Sequence, residues 1–196
     1  MSERCRDWRM RLVVISVVLT FGMLAAAEES LRTVDFRNFT YPLSGSRLGH
    51  DRLVWLDTNA PGSLRLKNGK GQSGFSLSSV SFADVTGDGR QDAIVVIHYG
   101  TGGTQQTDYI YLYAPSPAGP RLLAYCRTGD RAYSGLQKVY GEHEQLVVEL
   151  SDPAKMEADC CSAGIVRTRY VWRNERFQII GAPEHEAASV LEHKEE

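Results

Sequence analysis

The chain has 196 residues, with 22 lysines and arginines against 24 acidic residues, and 42% of its residues are hydrophobic. That is enough apolar material for one sizeable core and too little length for several independent ones. The slightly acidic balance and the absence of any basic cluster argue against nucleic acid as a partner, because a phosphate backbone demands a positive surface.

Taken from the start, Arg4, Arg6, Arg9 and Arg11 precede an apolar run from Leu12 to Leu24, and Ala25-Ala26-Ala27 stands before Glu28. A basic head, an apolar middle and small residues at the end make a cleavable signal helix over residues 1–27. The stretch from Leu12 to Ala27 is shorter than the roughly 20 apolar residues a spanning helix needs, so no membrane span is expected after cleavage. The expected location is therefore secreted or periplasmic. Removal of the leader takes away four arginines and two acids, leaving 18 bases against 22 acids.

From residue 28 to 181 the chain reads as one β-rich domain. Val34 to Tyr41 and Leu53 to Leu56 are expected edge strands. Stronger runs follow at Phe75 to Phe82, Ala93 to Tyr99, Tyr109 to Tyr113, Arg121 to Cys126, Leu136 to Tyr140, Leu146 to Leu150, Ile165 to Trp172 and Phe177 to Ile180. All are short, rich in β-branched and aromatic residues, and punctuated by Gly, Pro, Asn and Asp, with no helical period between them. Tyr109, Tyr111 and Tyr113 alternate with Ile110 and Leu112, and Val166, Thr168, Tyr170 and Trp172 alternate with Arg167, Arg169 and Arg173. Such alternation predicts a packed aromatic face and a wet arginine face.

Gly141-Glu142-His143-Glu144 and Asn174-Glu175 are links short enough to demand antiparallel neighbours. Leu43 to Gly49 and Ala60 to Gly74 read as connecting loops, 151–164 as the longest irregular loop of the second half, and 182–196 as a flexible acidic tail. The fold class expected is all-β: a single antiparallel meander or sandwich-like domain behind a signal helix.

Three cysteines remain after the leader, Cys126, Cys160 and Cys161, an odd number for an oxidising compartment. A bridge from Cys126 to one of the adjacent pair is favoured over a ring between neighbours, since a strand cysteine and a loop cysteine can reach disulfide spacing. Zinc is disfavoured, because Cys160-Cys161 lacks a spacer and no histidine lies close in sequence.

One segment carries recognisable chemistry. Asp84-Val85-Thr86-Gly87-Asp88-Gly89-Arg90-Gln91-Asp92 puts oxygen side chains at positions 1, 3, 5 and 9 of a nine-residue loop. Alternate positions of a tight turn converge on one centre, and the backbone carbonyl of Arg90 at position 7 completes an oxygen set suited to calcium. Gly87 and Gly89 supply the backbone freedom to wrap an ion. An EF-hand is excluded, since position 12 is Val95 and strands rather than helices flank the loop.

The segment from Phe82 to Val96 resembles the calcium hairpin of FG-GAP or VCBS-type repeats, found in integrin α-chain propellers and in secreted bacterial proteins. That resemblance implies a structural calcium held by Asp84, Thr86, Asp88, the Arg90 carbonyl and Asp92. It departs from the family in Thr86, which replaces an acidic or amide ligand. The loop occurs once, so a complete propeller with its repeated blades is not expected. The whole pattern is also similar to small secreted bacterial β-domains, which implies no activity.

Catalytic constellations are scarce. No Gly-x-Ser-x-Gly elbow occurs, and the five histidines are scattered. Tyr99, Tyr109, Tyr111, Tyr113, Trp55 and Trp172 suit a ligand platform on a sheet face as well as core packing. The function expected is a non-catalytic binding or structural module, with an unidentified protein or small ligand as partner. The alternative is a small secreted hydrolase or ligand-processing enzyme, using His98, Asp108 and the turn Arg127 to Arg131.

Overall fold

A computed structural model describes residues 31–44, 53–100, 102–103, 106–130, 133–158, 161–162 and 164–187. The leader, Cys160, Arg131 and the last residues, 188–196, lie outside this set. No helix among the described residues is long and apolar enough to cross a membrane. The chain is all-β, built as antiparallel sheets without a closed barrel or a propeller.

The strands are β1 (Thr40–Leu43), β2 (Val54–Leu56), β3 (Gly62–Arg65), β4 (Phe75–Ala83), β5 (Asp92–Gly100), β6 (Gln106–Ala114) and β7 (Arg121–Arg127) in the first half. β8 (Leu136–Glu142), β9 (Gln145–Ser151), β10 (Met156–Ala158), β11 (Cys161–Ser162), β12 (Gly164–Arg173) and β13 (Arg176–Ala187) follow. β4 to β7 form a meander to which β2 adds at the β7 edge, giving a five-stranded sheet. A four-stranded sheet runs β13-β12-β9-β8, and β1 pairs with β3 in a separate ribbon.

The five-stranded sheet is buried on both faces, which explains why β5 and β6 read as almost continuous hydrophobic runs. On one face Val95, Ile97, Tyr109, Tyr111, Tyr113 and Tyr125 meet Leu31, Phe36, Tyr41, Leu64 and Leu66 of the N-terminal layer. The rings of Tyr111 and Tyr125 stack with centroids 5.1 Å apart, and Tyr111 donates its hydroxyl to the Pro42 carbonyl at 2.9 Å. On the opposite face Ile94, Ile110, Leu112, Leu123 and Cys126 pack on Leu146, Val148, Tyr170 and Phe177 of the four-stranded sheet. Three layers result.

Several expectations are corrected. Tyr109, Tyr111 and Tyr113 are not a ligand platform: the N-terminal layer covers them. Cys126 is a free, fully buried thiol among aliphatic and aromatic neighbours, not half of a bridge. Burial pushes that thiol well above its ordinary range.

Residues 36–38 form a 3-10 turn rather than part of an edge strand, because Asp35 accepts from the Arg37 N–H and the Asn38 side chain. The expected loop from Ala60 to Gly74 contains β3, anchored by the buried Leu64. The loop 151–164 contains a 3-10 turn at Pro153–Lys155 and the short β10–β11 pair.

The expected tail begins as sheet, for β13 continues to Ala187 past a left-handed Gly181. Arg167 holds this extension, with Nε on Glu149 at 2.8 Å and Nη1 on Glu186 at 2.5 Å, while Arg169 reaches Glu142 at 2.6 Å. The arginine face therefore carries an ion-pair network.

Candidate functional site

The Asp84 to Asp92 loop joins β4 to β5, between two paired strands as the spacing requires. Asp84, just past β4, organises the turn with its own carboxylate. Oδ1 accepts from the Gly87 N–H at 2.7 Å and the Asp88 N–H at 3.3 Å, and Oδ2 accepts from Gly89 at 2.7 Å. Gly87 and Gly89 adopt φ of 75° and 78°, which a side chain would strain. Val85 points inward and is fully buried in the core between the two large sheets, so the loop is pinned at its base.

Asp92 opens β5 and is completely buried. Its Oδ2 accepts from the N–H groups of Val85 and Thr86, both at 3.1 Å, whereas Oδ1 has no hydrogen-bond partner. Burial drives the Asp92 carboxyl up to about 6, against the hydrogen bonds from the Val85 N–H and from Thr86 and with a contribution from the charges of Asp88 and Asp84. Asp88 turns the other way: it grips Arg90, with Oδ2 2.6 Å from Nη2 and 3.0 Å from Nε. Burial opposes ionisation there, but the bonds from Arg90 prevail and hold the Asp88 carboxyl below its ordinary value.

As placed, no three Asp, Glu, His or Cys side chains among the described residues converge closely enough to hold a metal. The oxygen set nonetheless fits a hard cation, since Asp84, Asp88, Asp92, Thr86 and the Arg90 carbonyl contribute no nitrogen or sulfur. A buried carboxylate oxygen without a partner is the kind of atom a cation satisfies. Engagement of Asp88 would require release of Arg90.

Sequence reasoning missed two neighbours of this loop. Gly141 of β8 comes so close that a Cβ there would lie 2.3 Å from the Ala83 Cβ and 3.0 Å from Val85 Cγ1. Glu144, in the turn between β8 and β9, lies against Gly87, with Oε2 3.5 Å from where a Gly87 Cβ would stand. The sequence showed His143-Glu144 only as a turn; no signal in it reveals the juxtaposition.

The residues of the enzymatic alternative come together in part. His98 and Asp108 are cross-strand partners, with His98 Nδ1 3.0 Å from Asp108 Oδ1. Burial raises the Asp108 carboxyl, with His98 opposing. The Asp108 N–H donates to Thr128 Oγ1 at 3.0 Å, and Thr128 returns its N–H to the Asp108 carbonyl at 2.9 Å. Strand alternation puts Arg127 on the Tyr109 side, the opposite face of the sheet. Asp130 accepts from the Gln106 N–H at 3.1 Å. Among the described residues no Ser or Cys is hydrogen-bonded to His98, so the pair has an orienting acid but no nucleophile.

An open cleft of about 390 Å³ lies elsewhere, where β2 meets the turn between β12 and β13. Trp55 and Phe177 stack at 5.4 Å and line it together with Asp57, Thr58, Glu175 and Arg176. Comparison with known protein families, curated proteins and solved structures yields no significant match to this chain.

Proposed function

We propose that this chain is an exported, non-catalytic binding or structural module whose β-fold is stabilised by calcium in the Asp84 to Asp92 loop. The observation that carries the reading is the unpartnered, fully buried Oδ1 of Asp92, set in a loop whose other donors are oxygens. Calcium there would draw the carboxylates of Asp84, Asp88 and Asp92 together and offset their charge. Export is supported by the basic-apolar-small order of residues 1–27. With the tyrosine face covered, recognition would fall to the loops and to the Trp55–Phe177 cleft, which suits a small ligand with an apolar face and a polar edge.

The test is calorimetric titration of the chelator-stripped full chain with calcium, with melting temperature followed in parallel. The expected dissociation constant is about 0.1 to 1 mM, the range of extracellular sites with few charges. No heat and no melting shift at millimolar calcium would overturn the proposal.

The His98–Asp108 bond supports a second reading, in which His98 serves as a general base held by Asp108. Turnover of activated esters by the wild type, lost in His98→Ala with folding intact, would establish it. An inactive wild type, or an equally active variant, would remove it.

A further inference from the structure

We propose that Glu144 is an additional calcium ligand, so that one ion ties the five-stranded sheet to the four-stranded one. The inference rests on the calcium reading above and adds to it a residue from outside the loop. Three observations carry it. Glu144 Oε2 stands 3.5 Å from the Cβ position of Gly87, in the middle of the loop, and the Glu144 Cβ is 3.7 Å from the same point. The side chain is exposed and makes no hydrogen bond or ion pair with any described residue, so its carboxylate is available. The approach is also fixed from below, because Gly141 of β8 sits directly on Ala83 and Val85 at the base of the loop.

The chemistry of the loop calls for such a donor. Thr86 contributes a neutral hydroxyl at position 3, and Asp88 is engaged by Arg90. A calcium ion takes six to eight oxygens, so a carboxylate beside Gly87 supplies charge and coordination that the nine residues lack. His143 and Glu144, at φ of 51° and 59°, close the two-residue link between the paired Glu142 and Gln145, so the hairpin ladder and not the carboxylate sets the turn. Loss of the carboxylate therefore need not disturb the turn.

The experiment compares the chelator-stripped full chain with Glu144→Gln and with Glu175→Gln. Glu175 occupies the same place in the β12–β13 turn, also at positive φ and exposed, and controls for loss of one surface charge. Calcium affinity is read by calorimetry, and the bound water of a europium ion in the site by luminescence lifetime. Glu144→Gln is expected to weaken calcium by about tenfold or more, to gain bound water on europium, and to melt like the wild type without calcium. Glu175→Gln, which alters the rim of the Trp55–Phe177 cleft and not the loop, is expected to match the wild type in calcium affinity and europium hydration. If the wild type binds no calcium, the underlying reading fails and this inference with it. If it binds and Glu144→Gln binds equally with unchanged europium hydration, only the role of Glu144 is overturned. Equal weakening by both variants would likewise reduce Glu144 to a remote surface charge.

Discussion

Replacement of Asp92 by asparagine should make the calcium-free domain more stable at neutral pH, and the size of the gain follows from burial. The folded carboxyl titrates near 6, against an ordinary value of 3.8. At about 1.4 kcal/mol per tenfold difference in proton affinity, that interval amounts to about 3 kcal/mol. Because the folded value is raised, the native state holds the proton more tightly than the unfolded chain does. Well below pH 3.8 both states are protonated and the group favours neither. As pH rises to about 6 the unfolded chain ionises first and is favoured, and above that the handicap of the native state is constant. The substituted amide would still offer an oxygen to the Val85 and Thr86 N–H groups, and it has no proton to lose.

Urea unfolding followed by tryptophan fluorescence, in chelator at several pH values from 4 to 7, gives the comparison directly. The difference between Asp92→Asn and the wild type should widen by up to about 3 kcal/mol over that range in favour of the variant. A difference independent of pH, or a variant that loses stability as pH rises, would refute the account of Asp92 as a buried and poorly compensated charge. Under the calcium proposal the ranking reverses once the ion is present, since it binds the native carboxylate and stabilises only the wild type.

Gly141→Ala should destabilise the domain by roughly 1 to 3 kcal/mol, because its methyl would enter the space of the Ala83 side chain; an unchanged melting temperature would show that β8 does not press on the loop base. Tyr113→Phe should be neutral or stabilising by about 1 kcal/mol, since the buried hydroxyl has no partner. Tyr111→Phe should instead cost about 1 kcal/mol or more, because it strands the Pro42 carbonyl. Equal effects of the two tyrosine changes in urea unfolding would contradict that distinction.

Much of the central sheet was legible because side-chain alternation and turn chemistry agree there. Tyr109, Tyr111 and Tyr113 against Ile110 and Leu112 identify both faces of β6, and His143-Glu144 and Asn174-Glu175 mark two hairpins. The tyrosine face could not be judged packed or open from within its own strand, because its cover comes from Phe36, Tyr41 and Leu64, far earlier in the chain. β3 was hidden because Gly62-Ser63-Leu64-Arg65 offers a single apolar side chain, and its strand conformation comes from pairing with β1. The end of β13 resembles a solvated tail, since His185, Glu184 and Glu186 find Asp152 and Arg167 only after folding. The calcium-type loop was visible as a spacing of oxygens, whereas the grip of Arg90 on Asp88 is a local side-chain choice that spacing does not fix, and the approach of Glu144 is a tertiary fact. Cysteine counting likewise carries no information on depth, and Cys126 proved to be core.

β13 is a border strand of twelve residues with one neighbour in its sheet, and such a border is a template on which foreign chains can assemble. Three devices blunt it. Gly181 interrupts the regular ladder, Pro183 offers no N–H, and Glu184 with Glu186 would repel an identical border brought alongside. The arginines that fasten this segment leave it paired yet unattractive to copies of itself, a safeguard against fibre growth.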